Sequence, residues 1–230
     1  VIAGWGAPLA DALEALPALR SANLWVSLSG AAGTGSIFGA RARELRAALA
    51  EGLGLRDPGR SWHTDRGPLL RIAGWMATVT ATCGAMGRTL VALNATETGE
   101  IAFATAGASS TMPQKRNPVG PSALIALDLQ MGGLCANLHA SAAHQHQRDA
   151  GAWFAEWMVM PQIALTAAAA LQHTKAIAPV LRPDPARMEH NLAQGLGLIH
   201  AEALSFALAA RMSRPEAQVE TKRLCTEVVE

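Results

Sequence analysis

Apolar residues recur through most of the chain at helical spacing, and the breaks fall where glycines, prolines and polar side chains cluster. Residues 7–30 carry an apolar, mostly helical pattern interrupted at Pro17, after which the four glycines of SGAAGTGSIFG (29–39) end it. From Ala40, ARARELRAALAEGLG puts Leu45, Ala48 and Leu49 on one face and its charges on the others, with a stop at Gly52 or Gly54. A polar loop follows over 55–68, and a long, weakly charged helix is expected from Leu69 to about Leu93. Pro121 and Ser122 read as the start of the next long helix, continuing toward Arg148. A further helix is expected from about Trp153 to Ala178, bent or restarted at Pro161. Asp184 and Pro185 read as the cap and first turn of a short helix, 195–212 as another, and SRPE (213–216) as a capping box. The proline-rich stretch 179–185 places an expected boundary between a long-helix body, 1–180, and a small C-terminal helical domain, 181–230.

Composition sharpens the fold class. Half of the 230 residues are hydrophobic, 16% are charged, and aromatics are 4% with no tyrosine, which favours helices over strands and predicts an all-α protein. The low charge points to association between copies through apolar helix faces. Residues 129–147 and 157–174 lack Asp, Glu, Lys and Arg and are each about as long as a membrane span. Their Asn137, His139, His144, His146, Pro161, Gln162, Gln172 and His173 favour buried helices of a protein with no membrane partner. A formal charge of +1 offers no field for nucleic acid. Cys83, Cys135 and Cys225, odd in number and without a C-x-x-C, suit a reducing compartment, by default the cytoplasm, and argue against zinc. The opening VIAGWGAPLADALEALPALR has no secretory pattern and reads as the middle of a helix.

The chemistry concentrates in GASSTMPQKRNP (107–118). Ser109, Ser110 and Thr111 supply hydroxyls, Lys115 and Arg116 fixed cations and Asn117 an amide, just before a helix N-terminus whose free N–H groups favour anions. Such a loop suits a carboxylate, and a solvated connection between two helices fits the same residues. Elsewhere, His144 and His146 two apart on a helix do not make a metal pair, and His63 beside Trp62 suits the lining of a pocket but reads better as a hydrogen-bonded structural histidine. Gly33, Gly35 and Gly39 lack the strand and the G-K-[ST] of a phosphate loop, and Trp153 and Trp157 share a packing face.

The order of residues in that loop resembles the signature G-S-x-x-M-x-x-K-x-N of the fumarase, aspartase and argininosuccinate lyase superfamily, with Ser109, Met112, Lys115 and Asn117 in register. Ala108 stands where the string opens on glycine, with Gly107 one residue earlier. SGAAGTG (29–35), WHTDR (62–66) and QRDAGAWFAEW (147–157) resemble segments of its 3-carboxy-cis,cis-muconate cycloisomerase branch, although Gly67 replaces the acid that more often follows the arginine. The resemblance implies a long-helix bundle, a homotetramer whose sites draw on three subunits, and a polycarboxylate substrate closed to a lactone with no metal or organic cofactor. It implies Ser109 as general base or acid, with Ser110, Thr111, Lys115, Asn117 and Arg148 binding substrate. The superfamily's N-terminal domain and its T-x-x-H-x-Q histidine are not found here, so the chain is expected to be part of a longer protein. Two alternatives stay open: another β-elimination lyase, such as one acting on adenylosuccinate, and a non-catalytic helical oligomerisation module.

Overall fold

The computed structural model describes residues 2–104, 107–108 and 116–229. Among them the chain is helical almost throughout: α1 (Ile2–Asn23), α2 (Ala42–Leu53), α3 (Gly67–Leu93), α4 (Val119–Ala140), α5 (Ala150–Ile177), α6 (Pro185–Gln194), α7 (Ala201–Ala209) and α8 (Arg214–Val229). Strands β1 (Ile101–Phe103), β2 (Gly107–Ala108), β3 (Arg116–Asn117) and β4 (Leu181–Pro183) form two antiparallel pairs, β1 with β4 and β2 with β3. The fold is all-α, and these pairs fasten loops rather than build a sheet.

The chain divides into two units, and residues 92–104 join the C-terminal segment 181–229 in the smaller one. In the larger unit the core lies where α3, α4 and α5 meet, around Ala73, Met131, Leu138, Val159, Ile163 and Ala167. Buried positions on α4 (Pro121, Leu124, Met131, Leu138) and α5 (Glu156, Val159, Ile163, Thr166, Ala167, Ala170, Ile177) recur mostly at steps of three, four or seven residues, a single stripe on each helix. Two α3 glycines allow the close approach: a Cβ on Gly84 would lie 2.5 Å from Asp128 Cβ, and one on Gly87 2.6 Å from the Pro121 carbonyl oxygen. The outer faces remain apolar, with Val119, Leu129, Phe154, Trp157, Met158 and Leu165 exposed. By length and composition α4 and the stretch 150–180 are each long and apolar enough to cross a membrane, and the single chain buries little of either. The expectation of buried helices is therefore corrected at the level of one chain.

Three boundaries differ from the pattern. Pro17 lies within α1 and Pro161 within α5 without ending either helix. At Pro161 the next side chain, Gln162, donates to the Met158 carbonyl within the same turn. Helix α4 stops at Ala140 rather than running to Arg148. There Ser141 Oγ donates to the Leu138 carbonyl, His146 takes a left-handed φ of 55°, and Asp149 starts α5 by accepting the Ala152 N–H. His144, His146 and Arg148 thus sit on a turn and not on a helix surface.

In the smaller unit, β1 and β4 pair Ile101 with Pro183 and Phe103 with Leu181. Asp184 caps α6 through the Arg187 N–H, and the Arg187 and Asn191 side chains both donate to the Thr98 carbonyl. Glu216 accepts from both the Ser213 N–H and its hydroxyl, so SRPE supplies the Glu half of a capping box at the start of α8.

Candidate functional site

The polar loop is fastened at its base. β2 and β3 pair Gly107 with Asn117 and Ala108 with Arg116, and Pro118 then leads directly into α4. Asn117 is half-buried on this pair, one residue from the free amides of the α4 N-terminus. Helix α4 begins at Val119, two residues ahead of the expected start, with Pro121 inside its first turn. Ser109, Ser110, Thr111 and Lys115 lie outside the described residues.

Arg148 lies in the larger unit, just before the α5 cap. Its guanidinium carbon sits 3.6 Å from the centroid of the Trp153 ring, a close cation–π contact. Trp153 also meets His63 edge-on, with ring centroids 5.4 Å apart, and Trp157 at 5.4 Å. The tryptophans four apart on α5 therefore share a face, as their spacing predicts.

The 61–66 loop is held to α5 and to the 24–29 segment by several contacts. Trp62 Nε1 donates to the Val26 carbonyl at 2.7 Å, and Ser61 Oγ to Ser29 Oγ at 3.0 Å. Arg66 and Glu156, each with 8% of its side chain exposed, form an ion pair with Nε 2.9 Å from Oε2, although that N–H is not aligned as a hydrogen bond. Arg66 also donates to the His63 carbonyl at 2.8 Å and stacks on Trp62. At the α3 start Asp65 Oδ1 accepts the Gly67 N–H at 3.0 Å, so the acid two residues earlier caps the turn where Gly67 has no side chain. A Cβ on Gly67 would stand 3.0 Å from that same oxygen. Asp65 also pairs with Arg60 at 2.7 Å, and that hydrogen bond holds its carboxyl below the usual range.

His63 is the residue whose environment the sequence least conveys. Gly33, at φ 75°, brings its backbone so close that a Cβ there would lie 2.9 Å from His63 Cβ. Burial, then the charge of Arg148, press the imidazole pKa below its ordinary 6.5, against the opposing effect of its hydrogen bond to the Ala31 backbone. Nε2 of His63 is buried without a partner among the described residues, and so is Nε2 of His144. Beside them a pocket of about 260 Å³ opens between Ala32 and Gly33, residues 60–65, and His146 with Gln147. The structure thus brings Arg148 together with His63 and Trp153, neither of which the loop signature indicates; the signal available in sequence was the pair of aromatic-rich segments WHTDR and QRDAGAWFAEW.

A family model described as Lyase matches residues 1–133. The chain is 40% identical to the 3-carboxy-cis,cis-muconate cycloisomerase of Pseudomonas aeruginosa over 94% of its own length and 48% of that protein's. It is 38% identical to the protein of the same name from Pseudomonas putida over 88% of its own length and 49% of that protein's. The crystal structure of the 3-carboxy-cis,cis-muconate lactonizing enzyme from Pseudomonas putida matches with a TM-score of 0.86 and 36% identity, over 99% of this chain and 51% of that one. The chain spans about half the length of the curated relatives it matches.

Proposed function

The chain belongs to the lyase family, and from that premise we propose that it acts in a cycloisomerase closing 3-carboxy-cis,cis-muconate to 4-carboxymuconolactone, a step of protocatechuate breakdown by the β-ketoadipate route. The observation that carries this is 40% identity to a cycloisomerase of that name along nearly the whole chain. It favours this reaction over elimination from an amino-dicarboxylate and over a purely structural module.

In the proposed reaction a carboxylate oxygen of the substrate bonds to one end of a conjugated double bond. The π electrons move to the carbon alpha to another carboxylate, giving an enolate-like intermediate, and a proton delivered to that carbon completes the lactone. Ser109 is the residue proposed to handle that proton, a task a serine performs only where donors and a cation stabilise its alkoxide and water is excluded. Lys115 serves as a point charge and Asn117 as an amide donor to a substrate carboxylate, with Ser110 and Thr111 adding hydroxyl donors and Arg148 a further cation. Fixed positive charge where the enolate develops supplies the main rate term. The anchoring of Asn117 on β3, next to the α4 N-terminus, supports this reading.

The proposal extends to a cytoplasmic homotetramer in which the exposed apolar faces of α4 and α5 pack against other copies. Loss of the diene absorbance of 3-carboxy-cis,cis-muconate on adding the protein tests the reaction; no loss with the protein at its full encoded length contradicts it.

A further inference from the structure

We infer that Trp153 is a positioning residue for the proposed reaction: the face of its indole sets where the Arg148 guanidinium sits, and the 61–66 loop holds that indole in place. This rests on the reading above in which Arg148 meets a substrate carboxylate, and it adds the residue through which that arginine is held.

The backbone next to Arg148 is fixed. Asp149 donates its N–H to His144 Nδ1 at 3.5 Å, its carboxylate accepts the Ala152 N–H at 3.1 Å, and its carbonyl accepts the Trp153 N–H at 3.0 Å. The arginine side chain has no such ties. Nearby, Arg60 is matched by Asp65 and Arg66 by Glu156, and the Asp149 carboxylate is taken by the first turn of α5. The Arg148 side chain has neither an ion pair nor a hydrogen bond among the described residues. What it has is the Trp153 ring, with the guanidinium carbon 3.6 Å from the centroid, a van der Waals distance and well inside the ~6 Å reach of a cation–π contact. A guanidinium stacked by its face keeps its in-plane N–H groups for a carboxylate, and Arg148 is exposed while the indole is half-buried.

The indole is itself braced. His63 meets it edge-on and Trp157 lies against it one turn along α5, each with ring centroids 5.4 Å away. His63 belongs to a loop that returns to the same helix: Arg66 donates to the His63 carbonyl at 2.8 Å and pairs at 2.9 Å with Glu156, three residues after Trp153. Trp153, His63, Arg66 and Glu156 thus form a closed circuit that begins and ends on α5. Burial and the charge of Arg148 hold the His63 imidazole below its ordinary 6.5, so at neutral pH it braces the indole without adding a competing positive charge. A long side chain free to rotate loses rotamer entropy when it grips an anion, and one already laid on a braced ring loses less. The stack therefore acts on the affinity of Arg148 for a carboxylate.

Tricarballylate, a saturated tricarboxylate with no double bond to lactonise, reads binding apart from turnover. Titrated calorimetrically into the protein at its full encoded length, it is expected to bind saturably, with Kd raised about tenfold in Trp153→Leu. Trp153→Phe, which keeps a ring face under Arg148, is expected to stay within about threefold. Because Trp153 acts through Arg148, Trp153→Leu combined with Arg148→Gln is expected to bind within about twofold of Arg148→Gln alone. With 3-carboxy-cis,cis-muconate the same change is expected in KM, with kcat within about threefold, whereas a mere loss of folded protein lowers kcat and leaves KM unchanged. Trp153→Met, which fills the space without a ring, carries the same expectations should Trp153→Leu not fold. Four outcomes overturn the positioning role: no saturable binding, affinity unchanged in Trp153→Leu, Trp153→Phe as weak as Trp153→Leu, or losses that add fully in the double variant. The expected Kd pattern in a protein that forms no lactone counts against the proposed reaction and supports the role of Trp153. Lactone formation with any of those four outcomes removes that role alone.

Discussion

At the scale of single residues, small side chains decide how closely chemistry can be packed. Gly33 has both a left-handed φ of 75° and His63 against its α-carbon, so Gly33→Ala meets backbone strain and a collision together. We predict a loss of about 1–3 kcal/mol of stability for Gly33→Ala, read by chemical denaturation; an unchanged midpoint contradicts the close approach. His63 gives a pH dependence with a definite sign. Its folded pKa lies below 6.5, so the unfolded chain takes a proton that the folded one resists. Stability is indifferent to this group above 6.5 and falls as the pH drops below it. The Arg46 hydrogen bond to Asp57 and the Arg60 hydrogen bond to Asp65 hold those carboxyls below 3.8, and their contribution is lost only at more acid pH. Melting temperatures taken from neutral to mildly acid pH therefore decline in the unsubstituted protein and decline less in His63→Gln. An equal decline in both removes His63 as the source. Sequence offered His63 as a hydrogen-bonded structural histidine or as pocket lining, and its charged surroundings were not legible there. Its neighbours come from positions 31–33, 66, 144–148 and 153, which become adjacent only through the fold.

At the scale of elements, local signals succeeded wherever capping chemistry was written into adjacent residues. Gly54 ends α2 in the left-handed conformation at φ 63°, Asp184 caps α6, and Glu216 caps α8 through Ser213. They failed where an apolar run continued past a helix end. The helix opening at Pro121 was expected to run toward Arg148 because residues 134–147 hold no glycine, proline or charged residue, while the stop at Ala140 is set by Ser141, by the left-handed His146 and by the competing start at Asp149. Pro17 does not interrupt α1 and Pro161 does not restart α5, since a helix supported by neighbours tolerates the lost N–H. The crossing of α3 with α4 was also invisible, because Gly84 and Gly87 matter through what faces them. Alanine at 84 gains up to ~1 kcal/mol in helix propensity, yet its Cβ would stand 2.5 Å from Asp128 Cβ. Overpacking of about 1–3 kcal/mol exceeds that gain, so Gly84→Ala is predicted to lower the melting temperature. A rise would mean that α3 and α4 separate freely.

At the scale of the whole molecule, the all-α class and the lyase family were legible in the sequence. The partners of the outer helix faces were not. Helices α4 and α5 carry long apolar surfaces that a single chain leaves uncovered, and composition had suggested burial without saying by what. Association into a tetramer covers such surfaces and is the proposed state. Light scattering at micromolar concentration is expected to give a tetramer; a monomer contradicts that packing. The central claim remains the reaction, and the most direct test is to identify the product. The protein at its full encoded length, incubated with 3-carboxy-cis,cis-muconate and followed by NMR, is predicted to yield 4-carboxymuconolactone. Ser109→Ala is predicted to slow this by at least about a hundredfold while leaving the fold intact. An elimination product without lactone, or lactone formed at the same rate by Ser109→Ala, contradicts the assignment of substrate or of residue respectively.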